Sequence, residues 1–445
     1  MCSFILDGIY VYAGVCTIGL FLGCLWYAWQ TLRRPKQAPW FDLGRQLTVQ
    51  RSLFGDWLES ARLALAPWLF VVAVAIYQFE IFFVNSLYRY RLPWLYQYGT
   101  IFLDHVIVLC LLIKILLCTR YNGYQLAVGF MATFIIRWVF VNNHQAWMMY
   151  AFLFALAAKD LVLRRPLKVI FAIGVISVSV VAISSLTGII TTVQELGTGR
   201  YRNSFGYGWY NYFGACLLGL ALMYVCLRGI KQLKWFDFVL LAALIVLCDF
   251  GPDSRAATLC LEMLFVALLV VRLWPAVLHP LAVRIVLSAV PLVAFAVSMA
   301  LALSWNPNNP ILVKLDGLFS TRISLGWKGL MTMPFAIAGQ MPGPDMLVDN
   351  AYLHYWILAG PVASAMIWCG FALLMWRLLK AGHSTEAICC LVMLCHATME
   401  THVMWACVNV TIWLMCGVIF WPAQQPGFAP VEEKAKFHSK GVVKV

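Results

Sequence analysis

Charge is scarce in this chain, and acidic charge is the scarcer kind. Only 11% of the 445 residues are Asp, Glu, Lys or Arg, and Asp and Glu together number 19. Hydrophobic residues make up 63% of the chain, whereas a soluble domain of this length needs a charged surface. Apolar runs recur at about the 20-residue length that crosses a bilayer. The sequence therefore excludes a soluble protein and predicts an all-α polytopic membrane protein.

Metal-ligand spacing is also lacking. The 15 cysteines fall mostly inside apolar runs, where thiols behave as small hydrophobic groups. We therefore expect no disulfide framework, no metal and no cofactor. The first apolar run, residues 8–29, is too long for a cleaved signal peptide and has no small-residue cleavage site, so we expect it to remain as a span.

Hydropathy predicts about 12–14 transmembrane helices in a single membrane domain, residues 1–421. The expected spans are 8–29, 64–85, 98–117, 123–141, 145–163, 168–190, 209–227, 235–251, 256–273, 281–304, 352–376, 385–401 and 403–421. One long loop, about 304–351, is interrupted by five prolines and is predicted to carry short helices. The polar tail, 422–445, is expected to be cytoplasmic and disordered.

Basic residues alternate between loops and set the expected orientation. Twenty-one Lys and Arg lie in 30–63, 118–122, 164–168, 228–234, 272–284, 377–380 and the tail, against eight in the opposite loops. The positive-inside rule then predicts that the C-terminus is cytoplasmic and the long loop external. The net charge of +13 is thus an orientation signal, and we expect no nucleic-acid binding. The segment 30–63 is either a basic amphipathic surface segment or a plain connector.

Arginines accompanied by glycines and aromatics mark the predicted outer face. Arg200 and Arg202 lie in a glycine-rich segment before the span 209–227, Arg255 lies between two later spans, and Arg322 lies in the long loop. The planar fork of arginine suits bidentate contact with phosphate, and glycines let backbone N–H groups approach the same anion. This pattern indicates a lipid-linked phosphate substrate.

Several other polar residues have two interpretations. Arg137, near the outer end of a span, either binds substrate or extends to the interface, with Asp104 and His105 as candidate partners. Arg89 and Arg91 are expected to pair with lipid phosphates. Four more residues near or inside spans either contact substrate or join helices, namely Glu262, Glu400, His402 and Asn409.

Five motifs, in order, resemble those of bacterial Wzy-type polysaccharide polymerases of the O-antigen ligase/polymerase superfamily. Residues 199–211 resemble the family's arginine and Ser-Phe-Gly-Phe-x-His-Pro-Asn loop, with Trp209-Tyr210 replacing His-Pro. Residues 253–256 resemble Ser-Arg-Gly/Ala, and residues 319–323 resemble Leu-Ser-Gly-Arg-Ile followed by Pro-x-x-x-x-Gly at 334–339. Residues 349–353 with Gly360 resemble Asp-Asn-x-Tyr-Leu…Gly, and Glu400 with Asn409 resembles the closing Glu…Asn pair.

The resemblance implies an enzyme that polymerises undecaprenyl-pyrophosphate-linked oligosaccharide repeat units into a surface polysaccharide such as O-antigen, capsule or exopolysaccharide. It implies a site at the outer face of the bacterial cytoplasmic membrane. Pyrophosphate would be bound by Arg200, Arg202, Arg255 and Arg322. Asp349, with Glu400 as second choice, would be the catalytic base, and the substrate would also contact Asn211, Asn350, Tyr352 and Arg137. Asp349 is alternatively an N-cap for the span that starts near Tyr352.

Other functions stay open. The related O-antigen ligases carry His-Asn where this chain has Asp349-Asn350, which favours a polymerase over a ligase-type glycan transferase. A flippase or transporter of lipid-linked oligosaccharide would also use charges within spans, although these charges gather at one face and not at the midplane. A non-catalytic role in an export complex does not need this set of arginines. Beyond the lipid membrane and the lipid-linked substrate, a chain-length regulator and a flippase are the partners that the resemblance allows.

Overall fold

The computed structural model of the protein describes residues 53–195, 202–344, 346–420 and 427–428. Its α-helices in chain order are α1 (Leu53–Val84), α2 (Tyr88–Arg91), α3 (Thr100–Leu116), α4 (Gly123–Asn143), α5 (Ala146–Ala157), α6 (Arg164–Leu186), α7 (Tyr210–Arg228), α8 (Trp235–Phe250), α9 (Arg255–Leu273), α10 (Leu281–Leu303), α11 (Pro310–Leu318), α12 (Arg322–Thr332), α13 (Ala351–Ala381), α14 (Ser384–His396) and α15 (Cys416–Ile419). A π-helical turn, Leu95–Gly99, precedes α3, and a two-residue hairpin pairs β1 (Gln194–Glu195) with β2 (Arg202–Asn203).

Within these ranges, eight helical segments are long and apolar enough to cross a membrane, which confirms the all-α polytopic fold. They are Ala64–Val84, Leu95–Leu116, Gly123–Asn143, Arg164–Leu186, Tyr210–Arg228, Arg255–Leu273, Leu281–Leu303 and Ala351–Ala381. The short helices predicted in the long loop are α11 and α12. The predicted span 8–29 and most of the tail 422–445 lie outside the described residues.

Four predicted spans differ in the structure. The helices α5, α8 and α14 have 12, 16 and 13 residues, and at 1.5 Å per residue they are shorter than a hydrocarbon core of about 30 Å. The predicted span 403–421 is made of two 3₁₀ turns, His402–Met404 and Val410–Met415, followed by the one-turn α15. This irregular backbone is buried in the protein, where other protein groups can satisfy it.

The longest span, α13, is interrupted at Gly360, whose φ is +79°. The long loop packs into this break, because a Cβ atom built on Gly360 would lie 2.2 Å from the Ile337 carbonyl oxygen. The Leu358 carbonyl accepts hydrogen bonds from the Gln340 N–H at 3.2 Å and from Asn143 Nδ2 at 3.1 Å. The two glycine-containing motifs, 334–339 and Gly360, are therefore in contact.

The predicted inner loops meet at one end of the helices. Arg164 Nη2 donates to the Leu227 carbonyl at 3.2 Å, and Thr385 Oγ1 accepts from the Ile230 N–H at 2.9 Å. Lys114 Nζ donates to the Lys159 carbonyl. The arginine motifs and the long loop lie at the opposite end. The loops rich in Lys and Arg and the loops poor in them are therefore at opposite ends of the helices.

Candidate functional site

Arg322, the first residue of α12, is the centre of a polar cluster. Its Nη2 lies 3.0 Å from Glu400 Oε1 and 3.5 Å from Asp349 Oδ2. Its Nε donates to the Met399 carbonyl at 3.2 Å, and its Nη1 donates to the Ser320 carbonyl at 2.9 Å. With all three nitrogens engaged, the guanidinium is held rigidly between two carboxyl groups.

Asn211, in the first turn of α7, completes the cluster. Its Nδ2 donates to Glu400 Oε1 at 2.8 Å, although the two residues are 189 positions apart in the chain. Asn211, Arg322, Asp349 and Glu400 come from four separate motifs. The structure brings all four together.

The turn before α12 explains how Arg322 is aimed. Ser320 and Thr321 adopt left-handed backbone conformations with φ of +51° and +66°. Asp316 Oδ1 accepts the N–H groups of Ile323 and Ser324, each at 2.9 Å, and so caps α12. The buried Asp316 is therefore a structural group, and the strained turn directs the Arg322 side chain toward Glu400.

Backbone strain recurs in the other motif loops. Six non-glycine residues of the described ranges have φ between +47° and +66°. Four of them belong to the motif segments, namely Phe205, Asp253, Ser320 and Thr321. Such conformations cost about 1–3 kcal/mol each and concentrate at functional sites. Their positions favour a functional role for the loops that carry the arginines.

The two carboxyl groups of the cluster differ in environment. The Asp349 side chain is 43% exposed, whereas that of Glu400 is 9% exposed. Asn350, and not Asp349, caps α13, because its Oδ1 accepts the N–H groups of Tyr352 at 3.0 Å and Leu353 at 3.4 Å. Asp349 is thus available to a substrate.

Glu400 lies in the turn after α14, outside the spanning helices. Burial raises the pKa of its carboxyl to about 8, and the negative charge of Asp349 adds to the rise. The contact with Arg322 lowers this pKa but does not cancel the effect of burial. Near neutral pH, the Glu400 carboxyl is therefore close to its titration point.

A second arginine lies beside the cluster. Arg202 Nε is 3.7 Å from Asp253 Oδ2, and the guanidinium carbon is 4.1 Å from the centre of the Tyr210 ring. Tyr210 precedes Asn211, so the first turn of α7 contacts Arg202 through Tyr210 and Glu400 of the cluster through Asn211. Arg255, the first residue of α9, is exposed, and the described residues offer it neither an ion pair nor a hydrogen bond. Arg200 lies outside the described residues.

Two other predicted substrate contacts, Tyr352 and Asn350, lie away from the exposed part of the cluster. Tyr352 is fully buried, its ring centre lies 4.1 Å from that of Trp368 with the two rings tilted, and its hydroxyl donates to the Leu394 carbonyl at 2.9 Å. Asn350 is also buried, and its Nδ2 donates to Ser298 Oγ at 3.0 Å. These positions suit residues that support the Asp349 loop.

Arg137, in the second half of α4, makes no contact with the cluster. Its Nη1 is buried without a hydrogen-bond partner among the described residues. Its candidate partner Asp104 accepts a hydrogen bond from the Tyr150 hydroxyl instead. The structure therefore does not join Arg137 to the other predicted site residues.

Two further residues adjoin the site, and one of them, Arg89, was interpreted otherwise from the sequence. The turn that carries Arg89 pairs with the motif loop, since the Leu87 N–H donates to the Gly206 carbonyl at 2.7 Å and the Gly208 N–H donates to the Asn85 carbonyl at 2.9 Å. From the sequence, Arg89 was assigned to lipid phosphates. The motif that its turn adjoins, residues 199–211, is distant in sequence, so no local pattern indicated this contact.

His402 is the other neighbour, and the sequence left it as either a substrate contact or a contact between helices. Its ring contacts Trp405 edge-on at 4.7 Å and Tyr212 at 5.6 Å. Burial lowers the pKa of His402 to about 4, so the imidazole is neutral near pH 7. Its Nδ1 is buried with no partner among the described atoms.

No group of three or more His, Cys, Asp or Glu side chains in the described ranges is arranged to hold a metal ion. The absence of a metal requirement stays a prediction. Comparison of the chain with protein-family models, with curated proteins and with solved structures gave no match, so any function has to be argued from the site and its motifs.

Proposed function

We propose that this protein is a Wzy-type polymerase of undecaprenyl-pyrophosphate-linked oligosaccharide repeat units. The observation that supports it best is the meeting of Asn211, Arg322, Asp349 and Glu400 in one cluster. Each comes from a different motif of the resemblance. Packing alone does not explain why these four polar groups meet at a partly exposed position.

In the proposed reaction, a hydroxyl oxygen of the incoming repeat unit attacks the anomeric carbon of the donor glycan. The bond between this carbon and the pyrophosphate oxygen breaks, and undecaprenyl pyrophosphate leaves with the electron pair. The hydroxyl proton passes to Asp349, the more exposed of the two carboxyl groups. Glu400 is mostly buried and holds Arg322 and Asn211, so we assign it to positioning.

The arginines divide between two tasks in this proposal. Arg322 contacts both carboxyl groups and orients Asp349 toward the acceptor. Charge on the departing pyrophosphate is stabilised by Arg202 and Arg255, together with Arg200, because charge that develops in the transition state is what fixed cations can stabilise selectively. The basic loops at the opposite end of the helices support a site that faces outward from the bacterial cytoplasmic membrane.

The central test is Asp349→Asn, with Asp249→Asn as a matched control at an exposed carboxylate at the end of α8. We expect Asp349→Asn to reduce polymerisation of purified lipid-linked units about 100-fold or more, because a general base contributes about 10²–10⁴-fold. Asp249→Asn should retain the wild-type rate. Normal polymer formation by Asp349→Asn, at equal protein level, would overturn the assignment of the base.

Complementation of a deletion strain separates the competing functions, with surface glycans analysed on gels. A polymerase restores a ladder, and the Asp349→Asn variant leaves single repeat units. If the deletion instead accumulates full-length polymer on its lipid carrier, the protein is a ligase. If single units remain at the inner face of the membrane, it is a flippase.

A further inference from the structure

A second group of polar side chains lies within the membrane-spanning region, in the halves of α1, α3 and α5 nearer the motif loops. Glu80 and Tyr77 of α1 are 6% and 3% exposed, and Tyr150 of α5 is 7% exposed. Asp104, in the first half of α3, completes this intramembrane oxygen cluster. Both carboxyl groups belong to spanning segments, where an ionisable group is costly unless a partner or a ligand compensates it.

Contacts join the four side chains of this cluster across the three helices. Tyr77 and Glu80 are three residues apart on α1, so they share one face of that helix. The ring centre of Tyr77 lies 5.2 Å from that of Tyr150, and the Tyr150 hydroxyl donates a hydrogen bond to Asp104 Oδ1. The carboxyl groups of Glu80 and Asp104 are near enough to interact electrostatically. Two carboxyl groups and two hydroxyls therefore converge from three helices.

Two oxygens of the intramembrane oxygen cluster are buried without a hydrogen-bond partner among the described residues. They are Glu80 Oε2 and the Tyr77 hydroxyl oxygen. The Tyr77 hydroxyl lies within electrostatic range of both the Glu80 and the Asp104 carboxyl groups, so it points into the cluster. Buried polar atoms are almost always paired, so two exceptions in one cluster indicate a ligand.

The two carboxyl groups have no Lys or Arg partner in the part of the chain that the structure describes, since its ion pairs include neither Glu80 nor Asp104. His105 lies beside Asp104 but is exposed, and its Nδ1 is 2.6 Å from the Ile101 carbonyl oxygen, one turn back along α3. Acidic oxygens gathered at membrane depth without a fixed basic partner favour a positively charged ligand.

The donor atoms select the kind of cation. Carboxylate and hydroxyl oxygens suit hard cations, whereas transition metals favour imidazole and thiolate ligands. Ca²⁺ takes about six to eight oxygen ligands, and Mg²⁺ usually keeps several waters, for which a buried cluster has little room. A monovalent hard cation fits this set of oxygens better. Because the ligands come from three helices, no spacing within one segment of the sequence indicates them.

We propose that Glu80, Asp104, Tyr77 and Tyr150 bind a Na⁺ ion. The ion offsets the negative charge of the two carboxyl groups and contacts the two oxygens that have no other described partner. It joins α1 to α3 and α5, and binding therefore stabilises the folded protein. The site is distinct from the polar cluster around Arg322 and does not depend on the proposed function.

The test is thermal unfolding of the purified full chain in NaCl and in choline chloride at equal concentration. A ligand that binds only the folded state raises the unfolding temperature, so we expect NaCl to raise that of the wild type by about 2–4 °C relative to choline chloride. Glu80→Gln removes one negative charge and should abolish this difference. Glu262→Gln, at a carboxyl group of the spanning helix α9, lies outside the cluster and should retain it.

Tyr77→Phe provides a second variant in case Glu80→Gln does not fold. It removes only a hydroxyl that has no described hydrogen-bond partner, so the stability in choline chloride should be retained while the response to Na⁺ falls about twofold or more. A full Na⁺ response in Tyr77→Phe or in Glu80→Gln would overturn the proposal.

The wild type alone also provides a decisive outcome. Equal unfolding temperatures in the two salts would overturn the proposal. A stability that varies with pH but not with Na⁺ would show that the two carboxyl groups bind only protons, and it would overturn the proposal as well.

Discussion

At the scale of single residues, the site depends on one guanidinium with four acceptors. Arg322 engages two backbone carbonyls and two carboxyl groups. The sequence identified Arg322, Asp349 and Glu400 as candidates because charge is rare in the chain. It did not reveal which of them touch, since contacts between residues up to 78 positions apart leave no local pattern.

The raised pKa of Glu400 predicts a pH-dependent stability. The pKa is about 8 in the folded protein against an ordinary value of 4.5, so the folded state binds more protons between these values. Stability from this group is therefore present at low pH and is lost as the pH rises from about 4.5 through about 8. Glu400→Gln cannot ionise and should escape this loss.

Thermal unfolding of the purified protein at pH 6 and pH 9 tests the prediction. Glu400→Gln should gain stability relative to wild type on going to pH 9. An equal difference between the two proteins at both pH values would contradict the raised pKa.

At the scale of elements, helix length and helix breaks were the hardest features to predict. Hydropathy found the long spans correctly, because their apolar composition is a local property. It failed over 403–421, where buried polar groups such as Asn409 stabilise 3₁₀ turns: its Oδ1 accepts the Thr411 N–H at 3.2 Å. Composition alone predicts the regular helices, whereas the break at Gly360 depends on the contact with Ile337, which a local pattern does not reveal.

The break in α13 gives a prediction with a matched control. Gly360 and Gly382 have φ of +79° and +77°, but only a Cβ atom at residue 360 would collide with backbone, 2.2 Å from the Ile337 carbonyl oxygen. Gly382→Ala should cost about 1 kcal/mol of stability from conformational strain alone. Gly360→Ala should cost several-fold more and displace the long loop.

Thermal unfolding in detergent measures the loss of stability in both variants. A polymerisation assay tests whether the long loop is displaced. The prediction fails if the two alanine variants are equally stable.

At the scale of the whole molecule, the separation of charge is the feature that sequence reading captured best. Alternating loops were assigned to two sides from their Lys and Arg content, and the structure gathers them at opposite ends of the helices. Counts of Lys and Arg give this separation because each loop contributes independently. The polar cluster could not be predicted in the same way, because its four residues come from four separate motifs and meet only in the folded chain.

This separation predicts which residues are reached from outside the cell. Lys328, in α12, and Lys231, in the 3₁₀ turn Ile230–Gln232, are both exposed and lie at opposite ends. In intact cells, a membrane-impermeant maleimide should label Lys328→Cys above the wild-type background and leave Lys231→Cys unlabelled. Labelling of Lys231→Cys alone would reverse the orientation and place the cluster in the cytoplasm.

The first turn of α7 has a consequence for substrate binding in the proposed reaction. Tyr210 contacts Arg202 and the adjacent Asn211 donates to Glu400, so one short piece of backbone joins the residues that we propose for the leaving group to those that we propose for the acceptor. A donor that draws Arg202 away from Tyr210 would shift Asn211 as well. Under the proposed function, we therefore expect the donor and the acceptor to bind cooperatively.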